Sequence, residues 1–175
     1  MIQEIAQSGA AVSFPSVGRW ILTALPQGWM FMSDFGIRQM QSHAGAVTSN
    51  VCLGQDAIES AEAFAPYIER QKTMIAAHLK EAKLAGPQPT QFASGDEAFL
   101  VAARHTVGAV GNMLHAQTYI RQGNWVGIIT LTVLESQLKD ARPAYDAFVK
   151  GLRIGPPAAD LSRSRGAAEL EAEGD

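Results

Sequence analysis

The spacing of hydrophobic positions changes character along the chain. Between residues 19 and 53 apolar residues fall in short runs broken by turn-forming residues. Residues 19–24 make one β-prone run, Pro26-Gln27-Gly28 turns the chain, and residues 29–41 read as one further extended segment. Residues 42–45 read as a loop. Over 46–53, Val47, Ser49, Val51 and Leu53 alternate with Thr48, Asn50 and Cys52, the period of two expected of a strand.

Over residues 60–84 the period lengthens. Phe64, Tyr67, Ile68, Gln71, Met74, Ile75, His78, Leu79 and Ala82 recur at helical spacing, with Glu62, Glu69, Lys72, Lys80 and Lys83 largely on other faces. This predicts an amphipathic helix with one buried stripe. Ser60 is the expected N-cap and Gly86-Pro87 the expected stop. Pro66 should kink the first turns or mark the start near Ala65.

Beyond Pro89 the period returns to two. Three runs of similar length, 98–107, 112–121 and 125–134, are joined by the glycine connections 108–111 and 122–124 and predict an antiparallel meander. A second helix is predicted over 137–152, burying Leu138, Tyr145, Phe148, Val149 and Leu152. Strands in sequence without alternating helical crossovers indicate an α+β fold, an antiparallel β-sheet with helices packed on it. The expected organisation is an irregular segment 1–16, one domain 17–155, and an acidic, disordered tail 156–175.

Charge narrows the function. Residues 1–154 hold twelve acids and twelve Lys/Arg, so the net −3 comes from the tail, with Asp160, Glu169, Glu171, Glu173 and Asp175 against Arg163 and Arg165. A neutral body offers no basic stripe, so no nucleic-acid partner is expected. Cys52 is the single cysteine, which excludes an intrachain disulfide. Met1 to Ala11 lacks a basic n-region and carries Glu4, so no signal peptide is read there. No uninterrupted apolar stretch is long enough to span a bilayer. A cytoplasmic location without direct membrane insertion is the resulting expectation.

Four stretches in this order resemble the DcrB-like family: Leu25-Pro26-Gln27-Gly28-Trp29, Tyr67-Ile68-Glu69-Arg70-Gln71, Gln117-Thr118-Tyr119-Ile120-Arg121 and Ile128-Ile129-Thr130-Leu131-Thr132. The resemblance spans roughly residues 20–154 and is nearest to the Eag chaperones of type VI secretion. It implies a PsbP-like α/β/α sandwich. It also implies a cytoplasmic homodimer that shields the N-terminal transmembrane helices of an effector. Eag chaperones carry alternating isoleucines after the Pro-x-x-Trp turn; Phe35 and Ile37 take that place, with one residue inserted.

Candidate chemistry is sparse. His43 falls in a loop, His78 on the helix stripe, and His105 and His115 on neighbouring strands, where they can approach across the hairpin. No Cys/His/Asp/Glu spacing supplies the three or four ligands of a zinc site. There is no Gly-x-Ser-x-Gly elbow, and Gly108-Ala109-Val110-Gly111 lacks the lysine of a phosphate loop, so it reads as a turn. Asp56, Glu59 and Glu62 gather near the helix N-terminus, where carboxylates are stabilising. No catalytic group, cofactor or metal is expected.

Strand 125–134 is more telling, because both of its faces are nearly apolar. The bulky set Trp125, Ile129, Leu131 and Val133 should meet helices. The smaller set Val126, Ile128, Thr130 and Thr132 should line a groove, where hydroxyls can bond a helical client. Phe35, Ile37, Val51, Leu53, Val126, Ile128 and Thr130 are therefore the expected client-binding trough. The alternative is a DcrB-like domain that binds a soluble partner or small ligand in a housekeeping or envelope-linked role.

Overall fold

In the computed structural model, residues 12–13, 19–33, 36–39, 49–59, 63–79, 81–92 and 94–156 are described. Among the described residues there are ten strands and two α-helices. The strands are β1 (Val12–Ser13), β2 (Trp20–Leu22), β3 (Trp29–Ser33), β4 (Gly36–Gln39), β5 (Asn50–Ala57), β6 (Lys83–Gln91), β7 (Glu97–Val107), β8 (Gly111–Gln122), β9 (Trp125–Leu134) and β10 (Leu152–Ile154). Helix α1 (Phe64–His78) separates β5 from β6, and α2 (Leu138–Gly151) leads directly into β10. Seven strands form one sheet in the order β3-β4-β5-β9-β8-β7-β6, and β1-β2-β10 form a small second sheet. All described pairings are antiparallel. The fold is the expected α+β arrangement.

The meander β7-β8-β9 lies where the period of two placed it. Its first connection is a short 3-10 turn, Gly108–Val110, and Gly123-Asn124 closes the second hairpin. Gly123 has φ 62°, a left-handed backbone that glycine adopts without steric cost.

Three sequence expectations change. The single extended segment at 29–41 is two strands, β3 and β4, forming a hairpin with a register shift between Phe31 and Ser33. Helix α1 is shorter than 60–84: it begins after Ala63, which supplies no side-chain cap, and ends at His78. Ser60 lies outside the described residues. Pro66 sits in the first turn, where its missing N–H has no intrahelical partner to lose. The chain leaves the helix through Glu81 at φ 63° and enters β6, so Gly86-Pro87 lies within a strand rather than at a helix end. β6 carries no clear period of two in the sequence because its apolar positions are sparse and prolines break its alternation. As the sheet's outer strand it loses little by carrying Pro87 and Pro89.

The two faces of the large sheet pack differently. Directly opposed residues in an antiparallel pair share a face, so the register Val51↔Leu131 and Leu53↔Ile129 defines one face and Cys52↔Thr130 and Gly54↔Ile128 the other. The first face holds the larger core: Trp20 and Leu22 of the small sheet, Ile129, Leu131 and Val133 of β9, and Ala141 and Phe148 of α2. Trp20 meets Trp125 and Phe92 edge-on, with ring centroids 5.5 and 6.1 Å apart, and its Nε1–H donates to the Gly54 carbonyl at 2.9 Å. The second face carries a smaller cluster, with Phe64, Tyr67 and Ile68 of α1 against Val101, Tyr119 and Val126.

Candidate functional site

The second face is built from odd-numbered residues of β7 and β8 and even-numbered residues of β9. Along β8 these are Arg121, Tyr119, Gln117, His115 and Met113, a mostly polar row beneath a helix. The row is hydrogen-bonded within itself and to its neighbours. The Tyr119 hydroxyl donates to Gln117 Oε1. His115 Nδ1 lies 3.1 Å from Thr132 Oγ1, and His115 Nε2 lies 2.9 Å from His105 Nε2. His105 and His115 are diagonal neighbours across the β7–β8 pair, so the expected approach across this hairpin is found.

The first turns of α1 are the part buried most deeply against this face. Phe64, Tyr67 and Ile68 are buried, and the fully buried Tyr67 donates its hydroxyl to Asp56 Oδ2 at 2.9 Å, tying the first turns to the end of β5. Asp56 thus serves stability, as expected of the acids near this helix start, but through a specific hydrogen bond. Burial, then the neighbouring Asp56, raises the ionisation of Tyr67 well above its ordinary range, and burial does the same to Tyr119. Both stay neutral hydroxyls that donate and accept rather than titrate.

Further along, the apolar stripe of α1 continues and the packing thins, with Ile75 still resting against the cluster of Val101, Tyr119 and Val126. Ile75 is half-buried, and Met74 is 49% exposed. Between this half of the helix and the sheet lies a cleft of about 320 Å³. Gln71, Met74, Ile75, His78 and Leu79 form its wall, and Ala103, His115 and Gln117 its floor. The floor continues sideways, since Gln117 stands opposite Thr130 and His115 opposite Thr132, and Thr130 stands opposite Cys52. Thr130, Thr132, Ile128 and Cys52 are all half-buried. Burial raises the Cys52 thiol above its ordinary value, which keeps it protonated and inert.

The register divides the expected trough. Val126, Ile128 and Thr130 lie on this face, with Val126 fully buried beneath α1 and the other two accessible. Ile37, Val51 and Leu53 lie on the opposite face, at most 4% exposed, in the core under α2. Phe35 lies outside the described residues, as does His43. A single trough cannot draw on both groups, because one strand's alternate residues point to opposite faces. The sequence did not reveal the α1 cleft: His115, Gln117 and Met74 look like ordinary strand and stripe positions until the helix is placed on the sheet.

A second cleft opens on the first face beside α2, with a volume of about 390 Å³. Phe92, Leu100, Ala102, Leu131, Tyr145 and Val149 line it, and Arg104 and Arg142 stand at its rim. These arginines pair with Glu135 and Asp146 at 3.4 and 3.0 Å. Among the described residues, no three His, Cys, Asp or Glu side chains gather to hold a metal ion, and no helix is long and apolar enough to cross a membrane.

Known structures place this architecture. PA94, a protein of unknown function from Pseudomonas aeruginosa, superposes with a TM-score of 0.59 at 20% identity, over 85% of this chain and 98% of its own. LpqN of Mycobacterium tuberculosis, involved in cell envelope biogenesis, gives 0.58 at 14% identity, over 78% and 83%. The cyanobacterial PsbP protein CyanoP of Synechocystis gives 0.52 at 13% identity, over 78% and 86%. The chain has a PsbP-like fold. At these identities the likeness extends to the fold alone. No family model and no curated protein matches the chain in sequence.

Proposed function

We propose that this protein is a cytoplasmic chaperone of the DcrB-like, Eag-type class. It binds and shields the hydrophobic N-terminal transmembrane segments of a type VI secretion effector, and it has no enzymatic activity of its own. The observation that carries this reading is the second half of α1, which holds exposed Met74 and half-buried Ile75 over a sheet floor of Ala103, His115 and Gln117, with Thr130 beside Gln117 on the next strand. Methionine adapts to varied apolar partners, and hydroxyl and amide groups on the floor can bond a helix that lacks water. The Eag-like stretches of sequence support the same reading.

Size bears on stoichiometry. A spanning helix of ~20 residues is ~30 Å long and ~10 Å wide. A cleft of about 320 Å³ seats only a few of its side chains. One protomer then covers a turn or two of a client, and a homodimer shields more. The test is co-expression with an effector's N-terminal apolar segment. Wild type should retain the segment, and Met74→Lys should lose it while keeping the wild-type circular dichroism spectrum. Retention by folded Met74→Lys would remove the reading.

The second face-to-helix cleft favours one alternative, a DcrB-like domain that takes a small apolar ligand beside α2. Its 390 Å³ volume is within the range of small-molecule sites, and LpqN's link to cell envelope biogenesis is compatible with an envelope-linked role. Native mass spectrometry of the purified protein, showing a co-purifying small molecule that Leu100→Trp displaces, would favour it over the chaperone.

A further inference from the structure

The histidine pair beside the α1 cleft has no part in the fold's core and no catalytic partner. His105 and His115 meet Nε2 to Nε2 at 2.9 Å, with ring centroids 5.0 Å apart and planes inclined by 22°. Two nitrogens at that distance need one hydrogen between them: one imidazole donates N–H and the other accepts. Both rings cannot carry two protons while the contact lasts, because two donors would face each other and two cations would lie in contact. The two histidines differ in place. His115 forms part of the cleft floor, with Thr132 holding its Nδ1, while His105 lies behind it toward the β7–β8 turn.

We propose that the His105–His115 pair is a proton gate for the α1 cleft: one shared proton keeps the floor neutral, and a second proton places a cation there and expels an apolar occupant. This rests on the cleft being the client site. Expulsion follows because an apolar segment cannot solvate the new charge, and burying an unpaired charge is costly. Burial, then the His105 charge, lowers the protonation of His115 below its ordinary value, so the floor stays neutral near pH 7.

Other charges near the pair are few among the described residues. Glu81, Lys83, Arg104 and Glu135 share a surface recess with His105. From α1 only His78 faces the cleft, exposed, with its Nδ1–H donating to the Met74 carbonyl at 2.8 Å. β9 contributes the neutral Thr132.

The test uses the full chain and Nile red, a neutral apolar dye whose own charge does not change over this range. Its affinity should fall about tenfold between pH 7.5 and pH 5.0, the change expected from roughly 1.4 kcal/mol. His115→Gln should bring the ratio of the two affinities near one, whatever its absolute affinity. His78→Gln should keep most of the fall. The His115 imidazole resonances of the wild type, read by NMR, should titrate below the ordinary histidine range. Equal dye affinity at both pH values, loss of the effect in His78→Gln, or a His115 that titrates at or above that range would each overturn the gate. No dye uptake at either pH would overturn the cleft and the gate together.

Discussion

One sheet presents two faces that do different things with the same strands. Under α2, β9 offers Trp125, Ile129, Leu131 and Val133, and the space between sheet and helix is filled by Trp20, Leu22 and Phe148. Under α1, the same strand offers Val126, Ile128, Thr130 and Thr132, and β8 adds Tyr119, Gln117 and His115. The first face pairs large side chains with large side chains around Trp20 and Phe148, and opens at its β6–β8 end, in the cleft beside α2. The second mixes hydroxyls, amides and imidazoles with modest apolar groups, so a helix packs closely at its first turns and more loosely beyond. The larger core lies on the first face, and the polar cleft floor on the second. That division is what a protein needs if a partner must enter without unfolding its host.

The sharpest way to break this comparison is one charge on each face. Ile37 is 1% exposed in the α2-side core, and Ile128 is half-buried on the α1 side. Ile37→Asp removes a core side chain and buries a carboxylate among aliphatic groups. The cost of more than ~4 kcal/mol is comparable with the whole stability of a small domain. It should leave the protein unfolded by circular dichroism. Ile128→Asp should fold, at a cost of ~1–2 kcal/mol in urea titration, because its carboxylate can reach water. Equal effects would mean that the two faces are equally sealed.

A second, smaller effect separates the anchored end of α1 from its free end. Tyr67→Phe keeps the ring against Phe64 and Tyr119 and deletes only the hydroxyl that reaches Asp56. Asp56 is exposed and can rehydrate, so the loss should be ~1 kcal/mol, the usual net value of one hydrogen bond. Urea denaturation checks this. A loss near zero would show that the aromatic contacts alone hold the helix start.

Much of this arrangement is legible in the sequence. The meander stands at 97–134 because period-two runs bounded by glycine turns leave few alternatives, and α2 follows from its single apolar stripe. The division of β9 into a bulky and a small set also reads directly from alternation. The register between strands does not. Whether Val51 shares a face with Thr130 or with Leu131 depends on one residue of offset between segments nearly eighty residues apart, and a slip of one reverses every side chain. The expected trough joined Ile37, Val51 and Leu53 to Val126, Ile128 and Thr130 by period alone, and the register sends the two groups to opposite faces. The length of α1 was overread for a related reason. Its stripe runs on in sequence past the point where the chain turns at Glu81 into an edge strand that sparse apolar positions and two prolines disguise.

The smallest expected effect concerns Met74, and it tests the free end of α1 most directly. Its side chain is 49% exposed although it lies on the helix's apolar stripe, at the wall of the α1 cleft. A methionine in a sealed core costs ~2–5 kcal/mol when cut to alanine. An exposed one on a helix costs little, because alanine is itself the best helix former and offsets the lost contacts. Met74→Ala should therefore stay within ~0.5 kcal/mol of wild type in urea denaturation. A loss above ~2 kcal/mol would mean that the second half of α1 is packed down after all. The cleft would then be closed in solution and the two faces alike in their sealing.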